Sequence, residues 1–267
     1  MKKKIFKMLS FLISFVVLLE CGSTASFAAS GKAYIFTFDT YDLNSREAGG
    51  QESLGYLWNM GYDAGEYLNN SAADAYSVMA NAKILVISSH GNPGKIRMGT
   101  YANRSFLCGD SWGLYYGGGD RQIYGLTRHA LSGVRLVMYV ACNTGTTPAP
   151  VADSTQATGY RYPANLCSAT YGHGGAQCVI GWKGEIPSAS CDQWVINVFK
   201  FSDANHYTLA KALEYADFWY KFVYGTENYD RMANRFLKGN RWYLPTSPKD
   251  IRNWEAVRPC RGGKSCC

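Results

Sequence analysis

The chain has 267 residues, of which 47% are hydrophobic and 18% charged, with a formal net charge of +7. That composition excludes a disordered chain and is enough for one large α/β core, or a core with a small appendage. Residues 1–28 hold Lys2, Lys3, Lys4, Lys7 and Glu20, so the remainder carries only +4, with its lysines and arginines scattered; nucleic acid is excluded as a partner.

Met1–Ala28 reads as an export signal. Four lysines form a basic start, Met8–Leu19 is apolar, and Ser26-Phe27-Ala28 offers small residues at the third and first positions before a cut. The apolar stretch is too short to span a bilayer comfortably. Leu18-Leu19-Glu20-Cys21 fails as a lipoprotein site because Glu20 stands where a small residue is needed. A secreted protein with no membrane attachment after signal removal is expected. Its compartment admits disulfides, and the tail Cys260, Cys266 and Cys267 is the best candidate for one. Zinc is a weaker reading of that tail, since no second Cys or His pair follows at ligand spacing.

Lys32–Asp39 alternates and is rich in aromatic and β-branched residues, which predicts a first strand. Ser45 and Glu47 start a helix to about Met60, stopped by Gly61. Gly61–Tyr67 is a weak strand, and Asn70-Ser71 caps a helix over Ala72–Ala82. Ile84-Leu85-Val86-Ile87 then runs uninterrupted to Ser88-Ser89-His90-Gly91-Asn92-Pro93-Gly94. Alternation of strand and helix implies an α/β fold with right-handed crossovers and a parallel sheet.

Lys95–Leu107 reads as a hairpin turning near Tyr101-Ala102-Asn103, and Gln122–Leu131 as a short amphipathic helix. Gly117-Gly118-Gly119 lacks the Lys-Ser/Thr of a P-loop and reads as a plain loop. Val134–Ala141, Arg135 apart, is the second apolar run, the pattern of a strand buried on both faces, and it stops at Cys142-Asn143-Thr144-Gly145. Thr144–Pro163 is a loop, Asn165–Gly172 a helix, Gln177–Trp182 a fifth strand, and Ser188–Phe201 and Thr208–Tyr224 two further helices. From residue 225 the pattern weakens into a helical extension and the cysteine-bearing tail.

Two buried strands thus end at His90 and at Cys142. Ligands bind beyond the carboxyl ends of parallel strands, and a histidine there can take a thiol proton and return it to a leaving amine. His129 is expected in packing or at the surface, His173 in a turn, and His206 in a loop. Asp39 and Asp42 suggest calcium only weakly and are better read as solvated turn carboxylates, so no cofactor is expected.

His90-Gly91 after one hydrophobic strand and Ala141-Cys142-Asn143-Thr144-Gly145 after the next, 52 residues on, resemble the caspase-like (clan CD) cysteine peptidases. These include caspases, gingipains, clostripain, separase and bacterial CHAT domains. The spacing is that of the caspase signature. Caspases carry Gln before the Ala-Cys pair, which is missing here; Cys-Asn-Thr-Gly is closer to CHAT-type motifs.

The resemblance implies a caspase-like three-layer α/β/α fold with a mostly parallel central sheet and a hairpin insertion between the His and Cys strands. It also implies a catalytic domain over 29–224, with 225–267 packing on it. The site it implies has His90 and Cys142 as catalytic residues and the backbone amides of Gly91 and Cys142 as oxyanion hole. Trp182, Thr144 and Gly181 would line the substrate pocket, although the sequence fits a buried core tryptophan at 182 equally well, and no metal takes part. The substrate would be a protein or peptide. Basic specificity would need a carboxylate in the pocket, for which Asp153, Glu185 and Asp192 are all near enough in sequence. Two rivals share the motifs: a non-catalytic caspase-like binding scaffold, and a cell-wall peptide amidase or transpeptidase using the same dyad.

Overall fold

The computed structural model describes residues 31–38, 45–110, 120–204, 207–241 and 244, without the side chains of 45–48 and 188–189. The readings placed on residues 1–28, Asp39, Asp42, Gly117-Gly118-Gly119, His206 and the cysteines of the tail lie outside the described residues.

Strand β1 (Lys32–Thr37) is followed by helix α1 (Ser45–Asn59), β2 (Asp63–Leu68), α2 (Ala72–Met79) and β3 (Ala82–Ser88). Four short strands follow: β4 (Gly91–Asn92), β5 (Lys95–Gly99), β6 (Arg104–Cys108) and β7 (Arg121–Gln122). After β8 (Leu136–Val140) come β9 (Val151–Ala152), β10 (Tyr160–Arg161), α3 (Leu166–Gly172), β11 (Cys178–Trp182), α4 (Ser188–Ala204), α5 (Leu209–Ala233) and β12 (Arg235–Gly239).

The six-stranded central sheet has the order β12-β11-β8-β3-β1-β2. Its neighbours are all parallel except β11 and β12. Every residue of β8 and β11 is buried, which is why neither run alternates in sequence. The pleat divides them between two layers. Ile84, Val86, Met138, Val140 and Ile180 pack against α1, α4 and α5, while Leu85, Ile87, Val137, Tyr139 and Val179 pack against α2, α3 and the small sheet. The result is a three-layer α/β/α molecule.

The small sheet, β4-β5-β6-β7, is the expected hairpin with one strand added at each side. It buries Ile96, Met98 and Leu107 in the second layer. The three-layer architecture, the mostly parallel sheet and the hairpin between the two central strands are those the caspase-like resemblance implies.

Three expectations are corrected. Gln122–Leu131 is not a helix: Arg121 and Gln122 pair with β6, Ile123–Gly125 is a single 3₁₀ turn, and the chain then turns repeatedly, with His129 at φ 64°. Ile123 and Leu131 are both fully buried, so a compact turn serves the two anchors that suggested periodicity. Helix α2 ends at Met79, because Ala82 already pairs with Lys32.

The third correction concerns the region after 225. Gly225 breaks α5 (φ 80°, ψ 171°), but the helix resumes to Ala233 and β12 then joins the central sheet as its antiparallel edge. An ionic clasp holds that strand in place. Arg235 donates to both carboxylate oxygens of Asp217, at 2.9 and 2.6 Å, Asp217 also accepts the Trp194 indole N–H at 2.8 Å, and the guanidinium lies over the Trp194 ring. Bidentate geometry of this kind is specific as well as strong.

Candidate active site

Parallel strands β3 and β8 pair Ser88 with Val140 at their carboxyl ends. Two residues further along each chain come His90 and Cys142, at the edge where open parallel sheets bind ligands. The backbones are in contact there. Ser89 N–H donates to the Val140 carbonyl at 3.2 Å. A Cβ on Gly91 would overlap the Cys142 carbonyl oxygen and come within 2.9 Å of Ala141 Cβ, so only glycine admits this approach. His90 is half-buried and its carbonyl accepts Arg97 N–H at 2.9 Å, which anchors the hairpin beside it.

Cys142 is a free, half-buried thiol packed against the α1, α4 and α5 layer. Its Sγ accepts the Ile186 N–H at 3.4 Å, and its own amide donates to no acceptor among the described residues. The other free thiols among those residues, Cys108, Cys167, Cys178 and Cys191, are buried. Burial pushes Cys108 and Cys178 up to about 12 and raises Cys167 as well, which keeps them protonated and inert.

The turn after Cys142 is clamped to the chain leaving β11. Asn143 takes a left-handed conformation (φ 59°), which its short polar side chain tolerates, and its N–H donates to the Gly184 carbonyl at 2.9 Å. Gly145 N–H donates to the Trp182 carbonyl at 2.8 Å, and Thr146 Oγ1 to the Lys183 carbonyl at 2.7 Å. Thr144 Oγ1 lies 3.3 Å from the Tyr139 and Ala141 carbonyls that it can donate to, and accepts the Trp182 N–H at 3.2 Å.

These contacts revise the pocket expected from sequence. Trp182 is fully buried; its indole N–H donates to the Met232 carbonyl at 2.9 Å and its ring meets Trp194 edge-on. It is a core residue and not a pocket wall, because β11 is covered on both faces up to its last residue. Thr144 is likewise fully buried, and a side chain on Gly181 would run into Cys167 and Thr144. Both support the turn from beneath and do not line a pocket.

Of the other histidines, His173 donates its Nε2–H to the Leu126 carbonyl at 2.8 Å and stacks on Tyr124, a packing role in the turn after α3. His129 sits among the turns before β8, its N–H donating to the His173 carbonyl. Among the described residues no group of three or more His, Cys, Asp and Glu is placed to hold a metal, and no helix is long and apolar enough to cross a membrane.

Sequence reasoning missed a feature beneath the edge. A cavity opens between the carboxyl ends of β1, β3 and β8 and the helices α1 and α4, with Thr37, Ser88, Val140 and Asp192 in its wall. Its wall residues come from five separate elements, and no local pattern signals it.

No family model matches the chain, and no curated protein matches it. Among solved structures, the crystal structure of caspase-1 from Spodoptera frugiperda is similar at 12% identity and a TM-score of 0.45, over 80% of this chain and 89% of that one.

Proposed function

We propose that the protein is an exported cysteine endopeptidase that cleaves peptide bonds through an acyl-thioester on Cys142. The observation that supports this reading is the pairing of Ser88 with Val140, which brings β3 and β8 to a common end two residues before His90 and two before the half-buried thiol of Cys142. Within the caspase-like group, the run Cys142-Asn143-Thr144-Gly145 is nearest to CHAT-type motifs.

In this mechanism the His90 imidazole takes the thiol proton, and the thiolate attacks the scissile carbonyl carbon. The Ile186 N–H at 3.4 Å favours the thiolate by pointing a positive dipole at sulfur. The oxyanion is received by the amides of Gly91 and Cys142. Collapse expels the amine, which takes the proton from His90, and leaves a thioester; water, deprotonated by His90, then releases the acid and regenerates the thiol.

Substituting Cys142→Ala is expected to lower peptide cleavage by at least about 10³-fold. Mass spectrometry after brief iodoacetamide treatment should find Cys142 alkylated ahead of the other thiols. Retained cleavage in the variant overturns the reading. Absence of selective alkylation together with absence of cleavage favours the binding scaffold, and turnover of wall fragments in place of proteins favours the amidase or transpeptidase.

A further inference from the structure

Helix α5 carries two apolar stripes, and the core takes only one of them. Leu209, Leu213, Ala216 and Tyr220 are buried in the layer that α5 shares with α4. About half a revolution away run Lys211, Tyr215, Phe218 and Phe222, at the alternating spacing of four and three residues that keeps side chains on one face of a helix. Phe218 is 72% exposed and Phe222 82%, and Tyr215 and Val223 are exposed beside them. Phe201 and Tyr207 stand against Tyr215, ring centroids 5.8 and 5.0 Å away, and widen the patch at one end. At the other end Gly225 breaks the helix.

Nothing in the interior requires this second stripe. An aromatic side chain carries about 200 Å², so Tyr215, Phe218 and Phe222 leave roughly 400 Å² of their surface in water on one copy of the chain. Apolar patches of that size mark interaction sites. Two such faces, with the stems of the charged residues beside them, come to about 1,000 Å², the least that a specific interface needs.

The flanking charges name the occupant. Glu214 and Lys221 lie on the same flank of the stripe, two turns apart, and both are exposed. Opposite signs at the two ends of one flank complement that same flank running the other way. When two copies of α5 lie antiparallel about a two-fold axis beside Phe218, Glu214 of each faces Lys221 of the other, Tyr215 meets Phe222, and the two Phe218 rings meet at the axis. A parallel pair would bring Glu214 level with Glu214 and Lys221 level with Lys221, and an anionic lipid surface would be repelled by Glu214. Within one copy Glu214 pairs with Lys211 at 3.1 Å, and the Lys221 ammonium lies 5.1 Å from the centre of the Tyr229 ring. Exposed contacts of this kind contribute little and hold neither residue back from a stronger one.

We infer that the outer face of α5 docks a second copy of this chain, antiparallel, through Tyr215, Phe218 and Phe222, with an ion pair between Glu214 and Lys221 on each side of the two-fold axis. The contact is isologous, so it closes as a dimer. It does not depend on the peptidase reading.

The test is sedimentation equilibrium of the chain as a secreting host yields it, over about 1–100 µM, with circular dichroism to confirm the fold of each variant. Wild type is expected to pass from monomer to dimer within that range, as suits an interface of small area. Phe218→Glu should raise the dissociation constant of the dimer at least about tenfold, because the ring at the axis is lost from both sides. Glu214→Lys and Lys221→Glu should each raise it about threefold or more by setting like charges together, and the double variant, with the signs exchanged, should return to within about threefold of wild type. Should Phe218→Glu fail to fold, the three charge variants decide the matter. A chain monomeric throughout overturns the inference, and cosedimentation of that monomer with vesicles of phosphatidylcholine and phosphatidylglycerol would give the face to a lipid surface instead. A dimer that a folded Phe218→Glu leaves intact overturns it by placing the contact elsewhere, and a double variant no tighter than the two single ones overturns the antiparallel pairing.

Discussion

Thr144 shows how a fully buried side chain can govern a site it does not line. Its hydroxyl lies within reach of the carbonyls of Tyr139, in β8, and of Ala141, the residue before Cys142, and accepts the Trp182 amide of the neighbouring strand. Thr144→Val keeps the shape but leaves the Trp182 N–H and the two carbonyls without it. Buried groups deprived of a partner cost about 1–3 kcal/mol, so a lower thermal midpoint is expected, together with slower alkylation of Cys142 as the turn loosens. Thr144→Ser, which retains the hydroxyl, should restore most of both; a valine variant equal to wild type in both measurements would show that the turn does not depend on this residue. Trp182 carries the same lesson. An aromatic at the end of a strand is equally consistent in sequence with a pocket wall and with core, and the Met232 carbonyl that receives its N–H decides for core.

Among the elements, α2 is the one whose limits are written most plainly in its local sequence. Ser71 accepts the Asp74 amide and Asp74 accepts the Ser71 amide and hydroxyl, a reciprocal cap that closes the helix start. Ser71→Ala should therefore cost about 1 kcal/mol in denaturant unfolding at neutral pH. The Ser71 hydroxyl, followed by its amide, lowers the folded Asp74 carboxyl below its ordinary value of 3.8. A lowered folded value means that this contribution is present above 3.8 and is lost as the pH falls through the folded value. The difference between wild type and variant should shrink accordingly in acid; a difference independent of pH would disconnect Asp74 from the cap. By contrast, β12 is an element that local pattern did not reveal. Arg235–Gly239 is five residues long and among the described residues pairs only with β11, and its clasp to Asp217 and Trp194 comes from two different helices.

For the whole molecule, export is a proposal that rests on the first residues and their charge. The basic start, the short apolar run and the small residues before Ala29 predict cleavage after Ala28, leaving a chain of charge +4. Expression of the full reading frame in a secreting host should release a product whose intact mass begins at Ala29; retention with the cells at full mass would instead indicate an uncleaved anchor. The fold beyond that point is two apolar layers on one sheet.

The two strands that matter could be read directly from the chain, because a strand covered on both faces must be apolar at every position and a reactive residue interrupting such a run is a local event. His90 and Cys142 are legible for that reason, as is the hairpin between them. That the two strands end side by side follows only from the register of β3 with β8, and that Asp192 rather than Asp153 or Glu185 lines the cavity follows only from where α4 lies on the sheet. Pairing and cavity formation depend on which distant segments share a space. Periodicity and composition describe what each segment buries, and only the packed tertiary structure decides against what.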